Sequence, residues 1–197
     1  VINVRIYGSL SLMISILVIS MAVGLKYLLS WHLTSFLAVV LATTLAYIPH
    51  ELMHIAVARR LGCLSTYTLD PVGLVLTLVS SALPVKIIMP GYVIISAPYY
   101  DSFTRKKIEA ITASAGPLTN IAIGLGALFL QLLLAEMFSY YVILLLLKVI
   151  VQLSAWIAFF NLLPIPPLDG NKIIAWNPLT WGAMFASSIG LMLYSLF

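Results

Sequence analysis

Charge is what this chain has least of. Ten basic and six acidic residues make up 8% of its 197 positions, against 62% hydrophobic residues, where an ordinary soluble domain carries about 25% charged residues. A soluble fold of this length has too little interior for so much apolar surface, which excludes a soluble all-helical domain and points to a polytopic membrane protein. Cysteine is nearly absent. The lone Cys63 rules out an internal disulfide and a cysteine zinc cluster. The net charge of +4 does not argue for nucleic acid, because the cations flank apolar runs and are not interleaved with aromatics. No internal repeat or low-complexity tract stands out. The first apolar run, Ile6 to Leu28, lacks a small-residue cleavage site and reads as a retained helix, not a signal peptide.

About 20 residues cross the hydrocarbon core of a bilayer. Apolar spans are expected near 7–29, 34–58, 104–136, 140–176 (broken near Pro164) and 179–197. Phe197 closes the last run, so continuation into a further helix or domain stays open. Arg5, Arg59, Arg60, Lys86, Arg105, Lys106 and Lys107 then fall on one side and Lys26 near the other. That asymmetry places the N-terminus, residues 59–107 and the turn at Asn177 and Pro178 in the cytoplasm of a multi-pass cell-membrane protein. Residues 64–98 interrupt the pattern. Their short β-branched runs, punctuated by Asp70-Pro71 and Pro90-Gly91, predict a β-ribbon or small sheet against the helices. One irregular helix over 72–96 is the competing reading.

The stretch "LAYIPHELMH", residues 45–54, puts ionisable groups inside an apolar span, where a charge is costly. His50, Glu51 and His54 form H-E-x-x-H. Residues four apart share a helical face, so both imidazoles can reach one metal ion, and Glu51, about 100° around the helix, can approach the attacking water without being a ligand. The bland alternative is two packing histidines and a glutamate paired with Arg59 or Arg60. Pro49 removes one helix hydrogen bond just before the pair. His50 is nine residues before Arg59, about 13 Å of helix, which puts the pair inside the bilayer and nearer its cytoplasmic face.

A catalytic zinc site normally takes three protein ligands. His32 is at the far end of the same helix, about 27 Å from His50 at 1.5 Å per residue. Asp70 and Asp101 lie in the cytoplasmic segment, Glu109 near its end and Glu136 on the outer side. That leaves Asp169 in "NLLPIPPLDG", where Pro164, Pro166 and Pro167 break the helix and Gly170 permits tight backbone geometry. The alternative for Asp169 is a helix cap.

H-E-x-x-H in the second helix, "GPLTN" in a later one and "NLLPIPPLDG" after that resemble the site-2 protease family of intramembrane zinc metalloproteases. The resemblance covers residues 40–175 or so. It implies Zn2+ held by His50, His54 and Asp169, Glu51 as catalytic base, and hydrolysis of peptide bonds in or near membrane-spanning segments of protein substrates, with release toward the cytoplasm. It implies substrate contacts at Asn161 and along "PGYVIIS", including Gly91 and Tyr92, and a bundle of up to six helices in one membrane-embedded domain. The partners expected are a membrane-spanning protein substrate and the lipid bilayer, with no nucleic acid and no second cofactor; association between copies of the chain is left open.

Thr112, Gly116, Thr119, Asn120 and Gly124 share a face of the third long helix. Gly116, Pro117 and Gly124 read as close-packing positions, whereas Asn120 is a candidate for binding substrate or for orienting a catalytic group. Lys148 reads as a snorkelling cation or a partner of Glu136, and Trp31, Tyr140 and Trp176 as interfacial anchors. Two other functions fit part of the pattern. A metal transporter or sensor would use the same ligands without needing Glu51, and would often show inverted repeats. An inactive scaffold would not need all four polar residues.

Overall fold

The computed structural model describes residues 8–83, 85–96, 101–134 and 141–196. Arg5, Pro84, Glu136, Tyr140 and Phe197 lie outside the described residues. The elements follow in the order α1 (Ser9–Leu29), α2 (Leu33–Arg60), β1 (Leu64–Leu69), α3 (Pro71–Val79), β2 (Gly91–Ser96), α4 (Ser102–Leu134), α5 (Tyr141–Asn161), α6 (Asp169–Trp176) and α7 (Pro178–Leu196). Ser9–Leu29, Leu33–Arg60, Ser102–Leu134 and Val142–Asn161 are long and apolar enough to cross a membrane. Leu10, Met13 and Leu17 on α1, Leu37, Leu41 and Leu45 on α2, and Leu125, Phe129 and Leu132 on α4 are exposed. Apolar ridges three or four residues apart on the outside of a bundle suit contact with lipid.

The α2 helix is central and packs against α1, α4 and α5; α6 packs on α4, and α7 on α5 and α6. One core joins Ile19, Val39, Tyr47, Tyr67, Val151 and Ile157, and a second joins Ala158, Leu162, Ile173, Met184 and Leu191. The fourth predicted span breaks as expected. Helix α5 stops at Asn161, and the proline-rich turn leads into α6 at Asp169. A Cβ on Gly170 would lie 2.1 Å from the Leu162 carbonyl oxygen, so only glycine lets α6 fold back onto the end of α5.

The segment between α2 and α4 is less β-rich than predicted. Among the described residues only its two ends pair, antiparallel, with Leu64 opposite Ser96 and Leu69 opposite Gly91. The middle run "VGLVLTLVSS" is helical, neither strand nor part of one long helix over 72–96. Asp70 caps α3 by accepting from the Gly73 amide at 3.0 Å, and Pro71 occupies the first turn, where a missing N–H costs nothing. The far end is closed by Lys86, whose Nζ donates to the carbonyls of Ser80, Ser81 and Leu83 at 3.3, 2.7 and 2.7 Å. A residue read as a topology charge thus also satisfies the free carbonyls of a short helix.

Candidate metal centre and its cleft

The α2 and α4 helices run antiparallel, so His50 meets Asn120 and His54 meets Thr112. The Thr112 carbonyl can only accept, so His54 Nδ1, 2.7 Å away, carries the proton. Asn120 Nδ2 donates to the Ala46 carbonyl at 3.0 Å, which turns its Oδ1 toward His50 Nδ1 and fixes the same tautomer there. In the neutral rings each Nε2 then carries the free lone pair. The two Nε2 atoms lie 3.1 Å apart, with Asp169 Oδ2 3.1 Å from His54 Nε2 and 3.7 Å from His50 Nε2. Three lone-pair donors pointed at one spot repel each other unless a cation sits among them. A tetrahedral ion with ligands at about 2.0–2.1 Å needs neighbouring ligand atoms roughly 3.3–3.4 Å apart, and the triangle matches that edge. Among the described residues this is a group of three metal-ligating side chains able to hold one ion.

Asp169 is the first residue of α6, and no side chain caps that helix. Its carboxylate faces the histidines, which disposes of the cap alternative. Lys172 Nζ, one turn on, lies 3.5 Å from the other oxygen, Oδ1. Room for the group comes from Gly116. A Cβ there would lie 2.3 Å from His54 Nε2 and 2.6 Å from His50 Nε2, inside the space the ion needs. Gly116 thus packs against both imidazoles of the candidate metal centre, while Gly124 faces Leu191 and Ser154 as close packing requires.

A cleft of about 570 Å³ opens from this centre, and Glu51, Gly91, Tyr92, Val93, Asn161 and Lys172 are among its walls. Glu51 is buried beside the histidines. Asn161 hydrogen-bonds its own helix at the Ile157 carbonyl, 3.0 Å away. Asn120 is not among the cleft-lining residues and is fully buried, with its amide against His50. Asn120→Ala is expected to weaken metal affinity about 10- to 100-fold, as outer partners of ligating histidines usually do, with the helices intact; a zinc titration beside a thermal melt measures both.

The β2 strand lines the cleft edge-on. The Asp70 amide donates to the Pro90 carbonyl at 3.0 Å, so by alternation Tyr92, Ile94 and Ser96 point their backbone groups at β1, while Gly91, Val93 and Ile95 turn theirs to the open edge. Gly91, Val93 and Ile95 all line the cleft. Thr112 Oγ1 in the same wall is buried without a partner, so a polar ligand there would satisfy it. The sequence placed Thr112 on a shared helix face without a role, and gave none to Tyr47 or Lys172. The signal was spacing: Tyr47 precedes Glu51 by four residues, Thr112 precedes Gly116 by four, and Lys172 follows Asp169 by three, each one helical turn away.

No family model matches the chain, and no solved structure does. A protein of Methanocaldococcus jannaschii named "Putative zinc metalloprotease" is 33% identical over 171 residues, covering 82% of this chain and 82% of that protein. The match in sequence and the histidine–histidine–aspartate group agree on Zn2+ as the metal. The chain belongs to the zinc metalloprotease family of that archaeal protein.

Proposed function

We propose that the chain is an intramembrane endopeptidase of the site-2 protease type, cutting membrane-spanning protein substrates and releasing a fragment toward the cytoplasm. The observation that carries the reading is a pair of histidines with a neighbouring carboxylate on the buried face of a helix long and apolar enough to span a bilayer, closed into a candidate metal triangle by Asp169 of α6. His50, His54 and Asp169 hold the zinc. Bound zinc acidifies water and polarises a carbonyl. Glu51 takes the proton of the attacking water on its carboxylate and returns it to the leaving nitrogen. Asn120 and the Thr112 carbonyl hold the imidazoles in register. Arg59 and Arg60 end α2, and Arg105 pairs with Glu109 at the start of the antiparallel α4. With the basic end cytoplasmic, the cleft receives water from that side. On this reading the protein is multi-pass in the cell membrane with a cytoplasmic N-terminus, α7 is a fifth span, and lipid and the substrate are its partners.

A substrate helix hides its carbonyls in internal hydrogen bonds and must unwind to be cut. The open edge of β2 offers replacements. Proline at Val93 or Ile95 removes an N–H aimed at the cleft, while proline at Tyr92 or Ile94 breaks the pairing with β1. Val93→Pro and Ile95→Pro are expected to lose at least about tenfold in cleavage with zinc content and melting temperature kept. Tyr92→Pro and Ile94→Pro should lose stability first. A scan in which activity falls only with stability would remove the strand-pairing idea.

The reading as a whole is tested by purified protein, zinc analysis and a model membrane peptide. Stoichiometric zinc with chelator-sensitive cleavage supports it. Zinc without cleavage, together with metal flux in vesicles, would favour the transporter.

A further inference from the structure

A chain of buried hydroxyls begins one turn from Glu51 on α2. Tyr47 stands one helical turn before Glu51 on α2, and both line the same cleft. Tyr47 and Tyr67 hydroxyls are 2.8 Å apart, Tyr67 and Ser15 2.7 Å, and Ser15 Oγ also reaches the Ser11 carbonyl at 2.9 Å. All four residues are buried, Tyr67 to 1% exposure. The chain starts on α2, crosses β1 and ends on α1. Two contacts fix its middle member. The Gly8 amide donates to the Tyr67 carbonyl at 3.3 Å, and a Cβ on Gly91 would fall 2.4 Å from the Tyr67 hydroxyl. The cleft strand β2 therefore rests on the same phenol.

A plain packing role explains this poorly. Phenylalanine would fill the same space without the cost of burying a hydroxyl. The order of the contacts has a use instead. A buried carboxylate on one helix can rotate about its side-chain bonds, and a base must be held within hydrogen-bond reach of the proton it takes. We propose that Tyr47 and Tyr67 are positioning residues for Glu51, bracing its carboxylate against β1 and α1 so that it faces the attacking water. This rests on the reading of Glu51 as the base. Each hydroxyl can donate in either direction, since Ser15 can send its proton to Tyr67 or to the Ser11 carbonyl. The brace thus offers Glu51 a donor when it is ionised and an acceptor when it holds a proton. Burial first, and then the charge of Glu51, push the Tyr67 phenol above the ordinary tyrosine range, so it remains a donor.

The test uses the full chain in bilayers with a model membrane peptide, and variants Tyr47→Phe, Tyr67→Phe and Ser15→Ala. Losses in kcat should decline with distance from Glu51, about 10- to 100-fold, then about 3- to 10-fold, then less, with KM within about twofold. Zinc content and the absorption spectrum of the cobalt-substituted protein should not change, because the ligands are untouched. A structural role gives another order. Tyr67→Phe strands two partners, so it would melt lowest and lose most. A double-mutant cycle with Glu51→Asp covers the case in which stability shifts. The shorter carboxylate sits out of reach of Tyr47, so adding Tyr47→Phe should cost almost nothing more; multiplying losses overturn the brace. Wild-type kcat in Tyr47→Phe beside an inactive Glu51→Gln overturns the brace alone. Wild-type cleavage by Glu51→Gln overturns the base and the brace together.

Discussion

Glu51→Gln is expected to leave zinc bound and to remove cleavage, by about 10²- to 10⁴-fold, the usual worth of a positioned base. The amide has the shape of the carboxylate and keeps a hydrogen-bond acceptor. It cannot take a proton. Glu51 is not among the three residues whose ligand atoms converge, so metal content should stay stoichiometric. Asp169→Ala is the contrast. It removes one ligand of three and leaves two facing nitrogens 3.1 Å apart with less negative charge to hold the ion between them. Zinc occupancy should fall there together with activity. Metal analysis and peptide cleavage on the same preparations separate the two. Loss of zinc from Glu51→Gln, or near wild-type cleavage by it, would take Glu51 out of the role of base.

The parts of the site legible in the sequence were those with local spacing or few competitors. His50 and His54 share a face because they are four residues apart. Asp169 stood out because the chain has six acidic residues, of which Glu51 belongs to H-E-x-x-H and the other four lie elsewhere. Scarcity of charge made elimination possible. Which way the Asn120 amide points was not legible, because the Ala46 carbonyl decides that across 74 residues. The α3 helix was missed for a different reason. A short run rich in valine and leucine suits a buried strand or a helix turn equally well. The Asp70-Pro71 pair that reads as a turn is also a cap followed by a first helical turn. What settles it is Gly73, where a Cβ would fall 1.9 Å from the Met89 carbonyl oxygen. No pattern within α3 reports that contact.

Gly116→Ala should be the most damaging small substitution in α4, and Gly126→Ala on the same helix should be harmless. In a helix interior alanine is normally favoured over glycine by about 0.5–1 kcal/mol. At Gly126 nothing lies within 4 Å of the added methyl, so that gain should appear as a slightly higher melting temperature. At Gly116 the methyl would fall 2.3 Å from His54 Nε2 and 2.7 Å from His50 Cε1. The rings cannot swing aside freely, because their Nδ1 atoms are held by the Thr112 carbonyl and by Asn120. Two responses remain. Either the imidazoles rotate and break those bonds, or α4 backs away from α2 and the core between them opens. Each displaces both nitrogens from the position where three ligands meet, and zinc affinity should fall by at least about 100-fold, beyond the effect of losing an outer partner. The metal-free protein should still fold, since the core formed by α1, α2 and α5 does not include this position. Zinc titration with thermal unfolding in the presence of a chelator reads both quantities. Tight zinc in Gly116→Ala would mean that the centre has room the triangle does not suggest, and that α2 and α4 meet less closely than their hydrogen bonds require.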